Sequence, residues 1–140
     1  MIQPLAYVNP GAKIADTVVI EPFVTIHKNV EIGEGTWIGS NVTIMEGARI
    51  GKNCKIFPGA VISAIPQDLK FNGEDTTTEI GDNTTIRECV TINRGTVAKG
   101  KTVVGQNCLL MAYCHIAHDT ILGNHVIIGN GTQIAGEVTI

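Results

Sequence analysis

The sequence has 140 residues, a net charge of −3 at pH 7 and only 4% aromatic residues. This length predicts a single domain, and the scattered Lys and Arg residues exclude the basic stripe typical of a nucleic-acid-binding protein. No apolar run approaches the roughly 20 residues that a membrane helix needs, and the first residues lack the features of a signal peptide. Four cysteines in such a chain predict reduced thiols and a cytoplasmic location.

An apolar residue recurs at every sixth position, beginning at Ile2. Of the 24 positions from Ile2 to Ile140, 21 hold Ile, Leu or Val. A second column, four residues after the first, holds small or β-branched residues. The column between them is rich in Gly and Asn, which tolerate the positive φ of a tight corner. This period is typical of a parallel β-helix, an all-β hexapeptide-repeat solenoid, which we predict for residues 1–140.

The six-residue pattern breaks twice, at Ala64–Thr77 and at Val97–Lys101. Both breaks preserve the register, so we expect two loop excursions after which the coil closes again. Loops on a rigid scaffold often carry binding groups. The chain ends at Ile140 without a polar cap, which predicts that the solenoid continues or is covered there.

Three of the four cysteines fall in the small, inward column: Cys54, Cys108 and Cys114. We interpret them as buried packing residues, because free cysteine behaves as a small hydrophobic residue. Cys89 falls in the corner column and receives no role. No C-x-x-C pair occurs, which excludes the common zinc-knuckle and redox motifs.

The densest polar cluster is the segment Cys114–Asp119. His118 is followed directly by Asp119, and a histidine with a carboxylate partner can act as a general base. The spacing alone is equally compatible with surface histidines on a strand, which is also our interpretation of His27 and His125. No two histidines are five residues apart, the spacing of the metal-binding pair in hexapeptide-repeat carbonic anhydrases, so we predict no metal site.

Six further segments are distinctive when taken together: Gln67–Lys70, Ile86–Glu88, Thr91–Thr96, Asn107–Met111, His115–Asp119 and Ile134–Gly136. They resemble the N-terminal half to three-fifths of a known enzyme family, the acyl-carrier-protein-dependent UDP-N-acetylglucosamine O-acyltransferases that begin lipid A synthesis in Gram-negative bacteria. The resemblance covers the whole chain and is far more specific than the six-residue period alone.

The resemblance implies a left-handed β-helix that forms a homotrimer with active sites between neighbouring subunits. It implies transfer of an (R)-3-hydroxyacyl group from acyl carrier protein to the 3-hydroxyl of UDP-N-acetylglucosamine, with no metal or other cofactor. His118 matches the general base and Asp119 the carboxylate that supports it. Gly136 matches the backbone N–H that stabilises the oxyanion.

The resemblance also implies substrate contacts. Asp68 and His115 match sugar-nucleotide contacts, and Gln67 and Lys70 lie in the same loop as Asp68. Asn93 is expected near the site, where the family usually has His.

A second departure is Glu137, where the family often has His. Both departures bear on acceptor contacts and acyl selectivity more than on the base.

Other assignments stay open at the level of sequence. The acceptor group could be a 3-amino rather than a 3-hydroxyl. The chain could be a related N-acyltransferase, although that family has an extra domain before its repeats. A coenzyme-A-dependent acetyltransferase and a non-catalytic trimeric scaffold are further alternatives. In the enzyme, only a neutral imidazole can act as a base, so we expect His118 to be neutral at physiological pH.

Overall fold

The computed structural model describes residues 1–140 and contains nineteen short parallel strands. It has no helix of the length and apolarity needed to cross a membrane. The strands, in chain order, are β1 (Tyr7–Val8), β2 (Lys13–Ile14), β3 (Val19–Ile20), β4 (Thr25–Ile26), β5 (Glu31–Ile32), β6 (Trp37–Ile38), β7 (Thr43–Ile44), β8 (Ala48–Ile50), β9 (Lys55–Ile56), β10 (Val61–Ala64), β11 (Thr77–Ile80), β12 (Thr85–Ile86), β13 (Thr91–Asn93), β14 (Lys101–Val104), β15 (Leu109–Leu110), β16 (His115–Ile116), β17 (Ile121–Leu122), β18 (Ile127–Ile128) and β19 (Gln133–Ile134).

The strands form the three flat faces of a prism. Face 1 contains β1, β4, β7, β10, β13, β16 and β19, face 2 runs from β2 to β17, and face 3 from β3 to β18. Successive strands of the chain therefore lie on successive faces. Within a face, a residue pairs with the one 18 positions later, as Ile26 does with Ile44, so three hexads make one coil.

Both predicted inward columns are buried. They account for nearly all of the single core of 27 buried hydrophobic residues, from Val18 to Ile134. Most buried threonines in the small column satisfy their hydroxyl groups at the corners, whereas the Thr78 hydroxyl makes no hydrogen bond. Thr36 Oγ1, for example, donates to the carbonyl of Gly51 at 2.8 Å and accepts the N–H of Cys54 at 3.1 Å. Buried hydroxyls in this column are thus compatible with the apolar core.

Three cysteines lie inside the prism, as predicted: Cys54, Cys108 and Cys114 are buried, and all four thiols are free. Burial raises the pKa of the Cys114 thiol to about 11 and also raises that of Cys54. Both thiols are therefore protonated packing groups rather than nucleophiles.

The corners use the left-handed backbone region predicted from the Gly and Asn column. Several other residues adopt it as well, and Asp119 is one of them, with φ of 61°. Such a conformation costs a residue with a side chain roughly 1–2 kcal/mol. The cost is offset where the coil has to turn, because the neighbouring strands fix the corner on both sides.

Both loop excursions leave the prism at one corner, between faces 1 and 2. On an uninterrupted coil, six residues separate the inward residues Ile44 and Ile50. On the next coil, 18 residues separate Ile62 from Ile80, and on the one after, 12 separate Ile92 from Val104. The excursions therefore add twelve and six residues, which explains why the sequence register survives them.

The six-residue pattern places Thr96, four residues after Ile92, in the small inward column, and this prediction is wrong. Thr96 lies in the second excursion, and Thr102 takes the inward place on that coil, paired with Thr78. Thr96 is nevertheless buried, with 6% of its surface exposed, but against the loop and corner rather than within the prism. An insertion of six residues leaves the six-residue pattern unbroken, so the pattern does not reveal the insertion.

Candidate active site

His118 lies at the corner that follows β16, between faces 1 and 2, and 15% of its side chain is exposed. Its Nδ1 is 2.8 Å from Oδ2 of Asp119. An ionised carboxylate only accepts hydrogen bonds, so Nδ1 carries the proton. In the neutral ring, Nε2 is then left with a free electron pair.

Asp119 is fully buried and holds its carboxylate among several donors. The Thr96 N–H donates to both carboxylate oxygens at 3.0 and 3.1 Å, the Thr96 hydroxyl donates to Oδ2, and the Lys99 N–H donates to Oδ1 at 3.1 Å. Burial by itself raises the pKa of Asp119, but the hydrogen bonds from Thr96, His118 and Lys99 outweigh it and lower the pKa. Asp119 therefore stays ionised inside the protein.

The first excursion brings Asp68 to the other ring nitrogen. Asp68 Oδ2 is 3.6 Å from His118 Nε2, which is longer than a hydrogen bond. The loop is a tight turn, in which the Lys70 N–H donates to Asp68 Oδ1 and the Phe71 N–H to the Asp68 carbonyl, both at 2.9 Å. The Lys70 N–H and, less strongly, its ammonium group lower the pKa of Asp68.

Arg94 holds this loop against the corner. Its guanidinium carbon lies 5.4 Å from the centre of the Phe71 ring, within the range of a cation–π contact. Its backbone N–H donates to the carbonyl of Ala64 at 2.9 Å, where the excursion begins. Arg94 and Phe71 were not candidates from the sequence, although Arg94 belongs to the matching segment Thr91–Thr96.

Gly136 lies one coil, 18 residues, beyond His118 and directly against its ring. A Cβ atom at Gly136 would be 2.5 Å from His118 Nε2, which no side chain could accommodate. The next residue, Glu137, donates its N–H to the His118 carbonyl at 3.0 Å, while the Gly136 N–H makes no hydrogen bond within the chain. Glycine is therefore required here by close approach.

These groups surround an open cleft of about 500 Å³. It is lined by Gln67, Asp68, Leu69, Lys70, His118, Gly136 and Glu137. Of the predicted site residues, five line the cleft and Asp119 lies behind His118. No group of three or more His, Cys, Asp or Glu side chains is arranged to hold a metal ion.

The remaining two predicted residues do not line the cleft. His115 is on face 1, half-buried, with Nδ1 hydrogen-bonded to Thr91 Oγ1 at 2.7 Å. Burial lowers the pKa of His115. Asn93 is buried at the end of β13, paired with Ala64.

Comparisons with known proteins show which family this chain resembles. A family model described as bacterial transferase hexapeptide (six repeats) matches residues 101–136, and one described as the GMPPB C-terminal domain matches residues 2–103. A curated acyl-[acyl-carrier-protein]–UDP-N-acetylglucosamine O-acyltransferase of Thermodesulfovibrio yellowstonii is 47% identical over 99% of the chain. A crystal structure of a UDP-N-acetylglucosamine acyltransferase from Bacteroides fragilis is 60% identical, with a TM-score of 0.98.

Over 99% of its own length, the chain matches the N-terminal portion of this acyltransferase family. A further member, from Acinetobacter baumannii, is 43% identical with a TM-score of 0.97. The left-handed β-helix implied by the sequence resemblance is thereby confirmed. The chain spans about half the length of the relatives it matches: 54% of the Thermodesulfovibrio protein, 55% of the Bacteroides chain and 54% of the Acinetobacter chain.

Proposed function

We propose that this chain carries the catalytic base of an acyl-carrier-protein-dependent UDP-N-acetylglucosamine O-acyltransferase. The reaction is transfer of an (R)-3-hydroxyacyl group to the sugar 3-hydroxyl, the first step of lipid A synthesis. The geometry of His118 carries the proposal. Its Nδ1 is hydrogen-bonded to the buried carboxylate of Asp119, and its Nε2 faces the cleft. The names of the related proteins support the donor and the acceptor.

In the proposed reaction, the acceptor hydroxyl lies beside Nε2 of His118 and gives it a proton as the oxygen attacks the thioester carbon. Asp119 stabilises the imidazolium that forms. Asp68, on the opposite side of Nε2, orients the acceptor by accepting a hydrogen bond from a sugar hydroxyl, and Gln67 and Lys70 contribute from the same turn. The Gly136 N–H, which has no partner within the chain, donates to the oxyanion.

Collapse of the tetrahedral intermediate breaks the carbon–sulfur bond. The sulfur of the carrier's prosthetic arm leaves and takes the proton from His118, which restores the neutral base. Atoms and charges balance without a metal or a covalent enzyme intermediate. We retain His115 and Asn93 as proposed contacts to the acceptor. His115 precedes His118 by three residues on the same coil, and Asn93 lies on the preceding coil.

Several further elements belong to the same proposal. We expect a homotrimer whose neighbouring subunits complete the cleft, and acyl carrier protein as the partner that delivers the donor. A cytoplasmic location is supported by the four free thiols, which fit a reducing compartment.

The proposal is tested by mass spectrometry of the products. The longest natural form of the chain is incubated with 3-hydroxyacyl carrier protein and UDP-N-acetylglucosamine, beside His118→Ala and a control, His125→Asn. His125 lies at a different corner with φ of 60°, where Asn is well tolerated. We expect the sugar nucleotide to gain one hydroxyacyl group, and His118→Ala to lose roughly 10²–10⁴-fold in rate with its fold intact.

Parallel incubations separate the alternatives. Transfer from acyl coenzyme A but not from the carrier protein would replace the donor, and transfer only to a 3-amino sugar would replace the acceptor. No transfer to any acceptor would favour a scaffold. Equal rates for His118→Ala and His125→Asn would remove the base assignment.

A further inference from the structure

Thr96 occupies an unusual place in the hydrogen-bonding of the molecule. Four other buried threonine hydroxyls donate to backbone carbonyl groups of the corners: those of Thr36, Thr76, Thr84 and Thr120. The hydroxyl of Thr96 donates instead to a carboxylate, that of Asp119. Its backbone N–H donates to the same group.

One carboxylate oxygen connects Thr96 with the histidine. Oδ2 of Asp119 accepts from the Thr96 hydroxyl and is also the atom that lies 2.8 Å from His118 Nδ1. The other oxygen, Oδ1, is held by the N–H groups of Thr96 and Lys99. All donors to the carboxylate other than His118 therefore come from the second excursion.

The backbone of Asp119 is fixed independently of this loop. Its N–H donates to Thr102 Oγ1 at 2.9 Å, and its φ of 61° is that of the corner. The loop fixes the rotation of the carboxylate about the Cβ–Cγ bond, and so determines which oxygen faces His118. A buried carboxylate without those donors could turn Oδ2 away from Nδ1 or lose its charge.

We propose that Thr96 is a positioning residue whose hydroxyl holds Oδ2 of Asp119 so that His118 keeps the Nδ1–H tautomer. Nε2 then remains the proton acceptor in the cleft. The catalytic consequence rests on the proposed function, whereas the tautomer is a property of the protein without substrate. The second excursion thus acts on the chemistry through Asp119 and does not touch the substrate.

The test compares three variants. Thr96→Val removes the hydroxyl while keeping the shape, and Thr96→Ser keeps the hydroxyl. Thr84→Val is the matched control, because Thr84 is also buried and its hydroxyl donates to the Gly105 carbonyl at 2.7 Å, at another corner. Nitrogen-15 NMR of the imidazole rings reports the tautomer, with the His118 signals assigned from His118→Ala.

We expect the Nδ1–H tautomer in the wild-type protein, in Thr96→Ser and in Thr84→Val, and a mixture of tautomers in Thr96→Val. In the longest natural form, we expect Thr96→Val to lower kcat about 10- to 100-fold, as for loss of a hydrogen bond to a charged group, with KM little changed and Thr96→Ser restoring the rate. Should Thr96→Val fail to fold, Thr96→Ala removes the same hydroxyl with less steric demand.

Three results would overturn the proposal. They are an Nε2–H tautomer in the wild-type protein, an unchanged tautomer when the hydroxyl is removed, and an equal change in Thr84→Val. A wild-type protein that shows the expected tautomer but transfers no acyl group would instead contradict the proposed function and leave the positioning of His118 intact.

Discussion

The two ring nitrogens of His118 face carboxylates at different distances, and this difference decides what each nitrogen does. Asp119 is within hydrogen-bond distance of Nδ1, whereas Asp68 is 3.6 Å from Nε2. An ionised Asp68 has no proton to share with an unprotonated Nε2. The gap therefore favours a group that can donate in both directions, which a sugar hydroxyl pair provides.

Gly136 offers the sharpest test of the geometry around His118. In Gly136→Ala the added methyl group would overlap the imidazole, with 2.5 Å to Nε2, and we expect it to displace the ring. Misplacement of a catalytic group by about 1 Å can cost about 100-fold in rate, so we predict a loss of kcat of that order. Steady-state rates and thermal unfolding measure the two effects separately.

The control for this variant is Gly129→Ala. At Gly129 the nearest atom to an added Cβ is Thr132 Oγ1 at 3.9 Å, an ordinary contact, and the backbone does not require glycine. We expect wild-type activity there. If Gly136→Ala is as active as Gly129→Ala, the contact with His118 is not important for turnover.

The buried carboxylate of Asp119 predicts an acid-sensitive fold. Its pKa is lowered in the folded chain, whereas an unfolded Asp titrates at about 4. Between the two values the unfolded chain binds more protons, so the free energy of unfolding falls as the pH drops below about 4. Asp119→Asn removes this titratable group, and we predict that the variant loses less stability on acidification than the wild type.

Urea titrations at about pH 5 and about pH 3 measure this difference. In Asp119→Asn, the pH dependence of the free energy of unfolding should be reduced rather than abolished, because the pKa values of Asp68 and Glu88 are also lowered in the folded chain. An equal loss of stability in the wild type and in Asp119→Asn would show that the carboxylate is not held as described.

At the scale of elements, an aromatic contact helps to position the first excursion. The Phe71 ring packs under Arg94 outside the prism, and the same loop presents Asp68 to the cleft. In Phe71→Leu we expect an increase in KM for the sugar nucleotide, because Asp68 is no longer held opposite His118. The thermal midpoint should change little, since the contact is worth about 0.5–2 kcal/mol and lies outside the core.

The chain contains a matched control for this variant. Phe57 also lies under a guanidinium, that of Arg87, at 4.4 Å, and packs edge-on against Trp37 on face 3. Phe57→Leu should reduce stability without changing KM. The reverse result, with KM altered by Phe57→Leu and not by Phe71→Leu, would contradict the role given to the first excursion.

The strands were predictable from sequence because nearly all of them follow the same six-residue period. The inward columns from Val18 to Ile134 follow it, and the contact between the neighbours His118 and Asp119 needs no long-range information. The meeting of Asp68 with His118, 50 positions apart, was implied by resemblance only, because it depends on the path of an irregular loop. The prediction for Thr96 was wrong because its loop adds six residues. The six-residue pattern therefore continues through the loop as if it were part of the coil.

At the scale of the whole molecule, two large apolar side chains on or beside face 3 are exposed. Ile127, on the outside of face 3, is 66% exposed, and Tyr113, at the corner that follows this face, is 67% exposed. Exposed apolar side chains of this size are suited to burial against another subunit. We predict a homotrimer in solution, with a mass three times the 14.9 kDa of one chain.

Sedimentation equilibrium measures this mass directly. Ile127→Lys places a charge on the same surface and should weaken association without unfolding the coil, because the side chain points outward. A monomer at all concentrations would contradict the trimer, and association that is unaffected by Ile127→Lys would move the interface to another surface.

The two excursions also bear on how the coil closes during folding. Paired residues on face 1 are normally 18 positions apart, but Ile62 and Ile92 are separated by 30. The entropy of closing a chain segment grows only with the logarithm of its length, so the longer connection costs about 0.5 kcal/mol more than an ordinary coil. The entropy of closing the coil therefore sets almost no limit on the length of a loop at this corner. Loops of different length, which present different side chains to the cleft, are compatible with the same coil.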